Sequence, residues 1–328
     1  MSVVIPTHNR PELVVKAVAS VLRQDFEDFQ VIVVIDGEDQ KTLCNLQAFS
    51  DPRLTIVDLA ISVGGAEARN VGVRAASGEW VAFLDDDDEW LPRKLSRQIV
   101  AARRSKASWP VFSSRMIVRT PVQESVRPIR SYDPRTSLSD FLFCRRPLKD
   151  GPFAMQTSTL LMRRELMLAV PFRSGLARHH DWDWLLRAER VPGAEFATVD
   201  EPLVIYRAED GRESVGRSHD WEFSMKWSAD MRGFFTPKAY SWFLATECAS
   251  RAVKSKAGAK AYAEIVWRFV FDGRPSLGSL IMLSAFLVCP PGIRAGMHRL
   301  KRKKGHQKDA PLPYARPNDL QNRVRMEL

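Results

Sequence analysis

The sequence predicts an α/β fold, a parallel sheet with helices on both faces, extended at its C-terminal end by a mainly helical region. Three observations carry this. Short β-branched runs alternate with helical periodicity over the first hundred residues, the signature of parallel strands joined by crossover helices. Three strands stop abruptly in polar residues: Thr7 and His8, Asp36, and the four aspartates at 85–88. From about residue 220 the apolar spacing is helical, with Trp221, Phe223 and Trp227 in one segment and Ala261, Ile265, Phe269 and Val270 in another.

Val3-Val4-Ile5 reads as a strand buried on both faces. A loop follows up to Pro11, which suits the first turn of a helix because its missing N–H is not needed there. Leu13, Val14, Ala17, Val18, Val21 and Leu22 continue that helix. Residues 31–35 form the second strand, ending at Asp36-Gly37, and 54–57 the third. Gly64-Gly65 opens a helix carrying Ala68, Val71, Gly72 and Ala75. Residues 80–84 are the fourth strand, after which Trp90-Leu91-Pro92 is expected to start another helix. Further on, 111–120 reads as a strand, 125–140 as a loop with Pro128 and Pro134, and 157–162 as a strand with a short helix from Arg164. A helix is expected over 181–190, and the segment after Lys301 is expected to be disordered. In sheets of this kind ligands bind at the carboxyl ends of the strands.

Composition narrows the class. With 328 residues, 45% hydrophobic and 27% charged, the chain is neither disordered, collagen-like nor a small disulfide scaffold. More than half of the net charge of +10 comes from Arg294, Arg299, Lys301, Arg302, Lys303, Lys304 and Lys308, opposed only by Asp309. The basic balance therefore reports on a tail, and nucleic acid is not an expected partner. Cysteines at 44, 144, 248 and 289 form no CxxC pair, so no zinc site or redox pair is expected and a reducing compartment fits. No secretory signal is expected. The longest apolar run, 277–289, is broken by Gly278, Ser279 and Ser284. It falls short of the roughly 17–25 residues of a spanning helix. The expected location is the cytoplasm, in solution or at a membrane surface.

Four consecutive aspartates after a buried strand are the sharpest feature. Clustered carboxylates repel and need a cation or hydrogen-bond donors. Hard divalent ions take oxygen ligands, commonly one or two carboxylates plus substrate phosphates. Asp85-x-Asp87 thus reads as a metal–diphosphate site, the alternative being a solvated loop.

Several segments resemble a family 2 glycosyltransferase of the GT-A fold. They are Val4-Ile5-Pro6-Thr7-His8-Asn9-Arg10, Val33-Val34-Ile35-Asp36, Gly65-Ala66-Glu67-Ala68-Arg69-Asn70-Val71-Gly72, and Ala76-Ser77-Gly78-Glu79 leading into the strand and the aspartates. Ser158-Thr159-Leu160-Leu161-Met162, His180-Asp181-Trp182-Asp183-Trp184 and Glu201-Pro202-Leu203-Val204-Ile205-Tyr206-Arg207 complete the set, which covers about 1–215. The resemblance implies a GT-A catalytic domain over 1–215, with a helical C-terminal region over 216–300 and a basic tail over 301–328. It implies a nucleotide-sugar donor, a UDP-sugar favoured, and a divalent metal, Mn²⁺ or Mg²⁺. Pro6 and Thr7 would lie against the nucleoside, Asp36 would accept from the base, and Arg69 would lie near the nucleotide. Asp86 would face the ribose and Asp87 would hold the metal, with Asp85 the next candidate because a fourfold run allows a shift of one position. Asp181 matches the catalytic base of an inverting transfer, with Arg187 following, though an aspartate there also suits a helix cap. Asp183 is the second candidate base, and His180 stands where the family often has Glu. Trp182, with Asp183, would meet the acceptor, a glycan or lipid-linked glycan of cell-surface polysaccharide assembly. Core packing is the other reading of Trp182. Tyr206, Arg207 and Ser214 resemble the family's closing segment. No Gln-x-x-Arg-Trp motif is present, which argues for transfer of a single sugar.

The apolar helix at 277–288 and the basic cluster after it have two readings. One is a helix packed on the catalytic domain with a solvated tail, and the other is peripheral attachment to an anionic membrane surface. Two rival functions make different demands on the sequence. A nucleotidyltransferase would be expected to carry a glycine-rich phosphate loop after the first strand, and residues 6–10 contain no glycine. A non-catalytic scaffold would be expected to have lost the acidic residues, and all stand.

Overall fold

The computed structural model describes residues 1–145, 155–208 and 220–288. Met1–Leu283 forms one compact unit and Ser284–Leu328 a second. The expected basic tail and Ser214 lie outside the described residues.

The first half of the sheet is as the sequence predicts. Strands β1 (Ser2–Thr7), β2 (Gln30–Asp36), β3 (Leu54–Leu59) and β4 (Trp80–Phe83) pair in parallel in the order β3-β2-β1-β4. Helices α1 (Pro11–Leu22), α2 (Gln40–Gln47) and α3 (Gly65–Ala75) connect them. Every residue of β1 and β4 is buried, which is why both read as unbroken apolar runs. A Cβ added at Gly72 would stand 2.3 Å from Val4 Cγ1. Only glycine lets α3 lie this close to the sheet, and that closeness carries Arg69, one turn earlier, to the strand ends.

Beyond β4 the sheet is mixed, and the expectation of a parallel sheet holds only for these four strands. Strand β5 (Glu89–Trp90) follows the aspartates directly, and α4 (Lys94–Arg104) comes after it, so the helix expected at Trp90 starts later. Five residues between β4 and β5 leave no room for the dozen or more that a parallel crossover needs. Strands β6 (Trp109–Arg119) and β7 (Glu124–Arg127) form an antiparallel pair, and α5 (Leu138–Phe143) follows. Both β7 and α5 use residues expected to form a loop. Residues Thr157–Thr159 form a 3₁₀ turn, so the expected strand shrinks to β8 (Leu161–Arg163). Helices α6 (Arg164–Ala169) and α7 (His180–Ala188) lead to β9 (Ala194–Arg207). Strand β8 is antiparallel to β4 and β6, β9 runs parallel to β6, and β5 is antiparallel to β9. Asp200-Glu201-Pro202 hides β9 in the sequence. The register jumps from Ser114↔Val199 to Arg115↔Pro202, so a bulge absorbs Asp200 and Glu201.

Helices α8 (Trp221–Asp230), α9 (Pro237–Phe243), α10 (Ala249–Lys254), α11 (Ala259–Phe271) and α12 (Leu277–Val288) complete the described chain, with a π-helical turn at Leu244–Cys248. The expected division at 215/216 is not a break in packing. Phe143 of α5 stacks on Phe235 at 5.0 Å and meets Phe243 edge-on at 5.4 Å. Trp227 Nε1 donates to Asp183 Oδ1 of α7 at 3.2 Å. On α11, Ile265 and Phe269 are buried while Trp267 and Phe271 are exposed, Phe271 by 70%. Leu277, which opens α12, is exposed by 76%. Among the described residues no helix is long and apolar enough to cross a membrane.

Candidate active site

The four aspartates form a single turn, closed by Asp88 N–H donating to Asp85 C=O at 3.1 Å. The turn separates them by function. Asp86 is buried; Thr7 Oγ1 donates to its Oδ2 at 2.9 Å and Arg10 Nη1 to its Oδ1 at 2.8 Å. Burial raises its proton affinity, while Arg10 and Thr7 pull it back. Asp88 is buried too and accepts from Ser158 Oγ at 2.6 Å, with no partner for Oδ1 among the described residues. Burial, then Asp85 and Asp87, push its pKa well above the usual range. Asp85 and Asp87 are the open pair, with side chains exposed by 34% and 22%. Asp85 is paired with Arg69, and Asp87 Oδ2 lies 3.4 Å from Arg10 Nη1.

Asp86, expected to face a ribose, has both oxygens engaged inside the protein and is tied to the end of β1 through Thr7. Asp85 and Asp87 present carboxylate oxygens on the open side, the donor set a hard divalent ion accepts. Among the described residues no group of three His, Cys, Asp or Glu forms a ready-made cage. A metal here would therefore be held by one or two carboxylates and completed by a substrate's phosphate oxygens. His179 and His180 are occupied elsewhere: His179 stacks on Trp182 and its Nε2 lies 3.0 Å from Ser224 Oγ, while His180 Nε2 lies 2.6 Å from the Leu176 carbonyl. Burial, then Arg251 and Arg178, hold the His179 pKa well below its usual value.

Arg69 is buried, donates to the Gly65 carbonyl at 3.0 Å and pairs with Asp85. Burial works against its charge, but Asp85 and Asp181 outweigh it. Pro6 and Thr7 end β1 beside β2, in register with Val34 and Ile35. Asp36, expected to accept from a base, is buried. Its Oδ1 accepts from Val63 N–H at 2.6 Å, and its Oδ2 from Gly64 N–H at 2.9 Å and Ser62 Oγ at 3.0 Å. Its carboxylate fixes the loop before α3 instead of standing open.

Asp181 lies in the first turn of α7, and the N-cap is His179, so Asp181 does not cap its own helix. Thr157 holds its carboxylate, through Oγ1 to Oδ1 and through N–H to Oδ2 at 3.3 Å. Burial and then Asp85 raise its pKa, opposed by Arg69 and Thr157. Asp85, Arg69 and Asp181 are thus within one another's electrostatic reach, across 96 residues of sequence between Asp85 and Asp181.

Asp183, the second candidate base, is fully enclosed and bound by Arg187 at 2.7 Å, Arg173 at 3.5 Å and Trp227, so it ties α7 to α8. Trp182 is half-buried, stacked on His179 and edge-on to Phe143 at 5.2 Å.

Sequence reasoning missed the turn Thr157–Thr159 as a hub. Thr157 holds Asp181, and Ser158 Oγ meets both Asp88 and the Asp85 N–H, the latter at 3.1 Å. Gln98 Nε2 donates to the Thr159 carbonyl at 2.8 Å and Trp90 Nε1 to the Ser158 carbonyl at 2.9 Å. Three consecutive small hydroxyl residues were the signal, concealed because the run reads equally as the start of a strand. Arg10, the partner of Asp86 and Asp87, stood at the end of a segment that carries the family resemblance, with no role assigned to it.

Architecture and site together define a glycosyltransferase of the GT-A fold. S. aureus TarS superposes with a TM-score of 0.58 over 82% of this chain and 79% of that one, at 18% identity. The mannosyltransferase PcManGT of Pyrobaculum calidifontis, solved with GDP-Man and Mn²⁺, gives 0.54 over 92% and 84%, at 17% identity. The model of glycosyl transferase family 2 matches residues 2–166, half of the chain, and the chain belongs to that family. It is 29% identical over 254 residues to the amylovoran biosynthesis glycosyltransferase AmsB of Erwinia amylovora, covering 73% of this chain and 82% of that protein. To the UDP-Glc:alpha-D-GlcNAc-diphosphoundecaprenol beta-1,3-glucosyltransferase WfgD of Escherichia coli it is 31% identical over 109 residues, 33% of this chain and 43% of that protein.

Proposed function

We propose that this chain moves one sugar, with inversion at the anomeric carbon, from a nucleotide-sugar donor to a hydroxyl of a glycan or lipid-linked glycan acceptor in cell-surface polysaccharide assembly. A UDP-sugar is the favoured donor. The observation that carries the reading is Asp181, held by Thr157 in the field of Asp85 and Arg69. An inverting displacement needs one carboxylate to take the acceptor's proton while the nucleoside diphosphate departs on the opposite side. Burial strengthens Asp181 as that base, and Thr157 orients it. Pro6, Thr7 and the loop held by Asp36 wall the nucleoside. Arg10 and Arg69 offset the charge of the diphosphate. Asp87, with Asp85, would hold Mn²⁺ or Mg²⁺; when bound, the ion stabilises the charge of the leaving diphosphate.

The Mn²⁺ of PcManGT supports the metal, and TarS, solved with UDP and with UDP-GlcNAc, supports the donor class. The acceptor printed in the name of WfgD supports a diphosphate-linked lipid. The catalytic region is 1–215, and the described helices α8 to α12 support its acceptor side. The exposed Trp267, Phe271 and Leu277 and the basic residues at 294–308 suit an anionic bilayer, to which each basic residue contributes about 1 kcal/mol. The protein would then work peripherally on the inner face of the cytoplasmic membrane. Sedimentation with anionic vesicles, weakened by salt and by Phe271→Glu with Leu277→Glu, is the expected result; equal binding to neutral vesicles would refute it.

The deciding experiment is a thermal-shift panel of nucleotide diphosphates with and without Mn²⁺, since a ligand of the native state raises Tm with the logarithm of its excess over Kd. A metal-dependent shift with UDP supports the reading. A shift with GDP alone keeps the enzyme and overturns the base, and no shift with any nucleotide overturns the donor site.

A further inference from the structure

Arg178 lies three residues before Asp181, ahead of α7. It is 2% exposed, and Nε, Nη1 and Nη2 all lack a hydrogen-bond partner among the described residues. A guanidinium offers five donors in a rigid fork and does not lose its proton in proteins. Burying it unpaired is among the most unfavourable things a fold can do. The other buried arginine among the described residues, Arg69, shows the usual solution, with a carboxylate and a carbonyl in its fork.

The charges around Arg178 do not supply a partner. Arg251 repels it, and Asp220 and Glu247 attract it. Glu247 is already shared by Arg251 at 3.3 Å and Arg145 at 3.6 Å, and Asp220 caps α8 by accepting from Phe223 N–H at 2.9 Å. Both carboxylates that attract Arg178 are thus already engaged by other groups. A buried planar cation with all its donors unused, beside carboxylates that other groups already engage, fits a phosphate or diphosphate group.

Two sources supply such a group, the donor and the acceptor. Burial acts most on both arginines; the charges that act on Arg69 after it are Asp85, Asp181 and Asp86, whereas those on Arg178 are Arg251, Asp220 and Glu247. The two arginines therefore belong to different surroundings, Arg69 to the carboxylate turn and Arg178 to the helices after 220. We infer that Arg178 anchors a second anion-binding position, which takes the diphosphate of a diphosphate-linked acceptor. Three residues span about 10 Å at full extension, so a sugar whose hydroxyl reaches Asp181 can carry its diphosphate to Arg178. This source assignment rests on the transfer reading above; the anion position itself does not.

The test uses the full chain and inorganic pyrophosphate without divalent metal. Pyrophosphate is expected to raise the Tm of the wild type, and Arg178→Gln to weaken that binding at least about tenfold, as loss of a charged hydrogen-bond partner does. The Mn²⁺-dependent UDP shift should persist in the variant. The KM for a lipid-diphosphate glycan should rise by a similar factor, while that for the same glycoside lacking the diphosphate stays put. Arg178→Met should melt higher than the wild type in the absence of anion. No pyrophosphate shift in the wild type overturns the proposal, as does a lower Tm for Arg178→Met, which would make the guanidinium structural. Parallel loss of the UDP shift overturns the acceptor assignment in favour of the donor's diphosphate, and an equal rise in KM for both acceptors also overturns it. A wild type that binds pyrophosphate through Arg178 yet neither binds nucleotide nor transfers sugar would refute the transfer reading alone.

Discussion

The two halves of the sheet bring their carboxylates to the site by different routes. In the β1–β4 half, Thr7 and Asp36 end the strands that deliver them, and Asp85 follows β4 by two residues. In the other half nothing is delivered by a strand end. Asp181 comes from a helix and is held by Thr157, 24 residues away, while Ser158 reaches 70 residues back to Asp88. The first half is built from local signals, and the second depends on tertiary packing to put its groups in place. Damage to the first half should therefore cost binding, and damage to the second should cost chemistry or its pH dependence.

The largest break expected is Asp181→Asn. Loss of a general base lowers turnover by about 10²–10⁴, and the metal-dependent UDP shift should remain; loss of both would merge the two halves into one function. Next is Asp87→Ala, for which calorimetry should show nucleotide binding weakened by about 1.5–3 kcal/mol and no longer responsive to metal. Asp85→Ala should also disturb Arg69, through the pair they form. Thr157→Val is smaller and more diagnostic. The Asp181 pKa is already raised by burial and by Asp85, and Thr157 lowers it. Without the hydroxyl it rises further, so the acidic limb of the kcat/KM profile should move to higher pH, with activity lost at low pH and recovered as pH rises. An unmoved limb would mean that another group is the base.

The smallest effect is Asp88→Asn, read in stability. The folded pKa of Asp88 lies well above its unfolded value, chiefly through burial. The folded state then holds a proton that the unfolded state releases, so this group's contribution declines as pH rises from about 4, the ordinary aspartate value, to the raised folded value. Asparagine keeps an acceptor for Ser158 Oγ and should remove that slope from the pH dependence of Tm.

Much of the first half was legible in the sequence for a physical reason. A strand buried on both faces is an unbroken apolar run, and its polar end marks the ligand edge. The mixed half was not. Two-residue β5 is too short to leave a pattern, and Asp200-Glu201-Pro202 interrupts β9 where a bulge carries Asp200 and Glu201. Burial within the aspartate turn comes with Thr7, Arg10 and Ser158, which reach it from 70 or more residues away in the chain, and no periodicity reports that.

By itself the sequence determined the α/β class, the order of the first four strands' ends, the family, and which residue types could meet a metal, a nucleotide and a proton. These follow from local patterning, because burial and turn chemistry act over a few residues. Only the tertiary structure decided which aspartates stand open and which are buried, that Asp36 holds a loop and Asp183 a helix pair, that Thr157 steadies Asp181, and that Arg178 lies buried without a partner. Those outcomes depend on which distant side chain fills each hydrogen-bonding position, and that is set by packing between segments far apart in the chain.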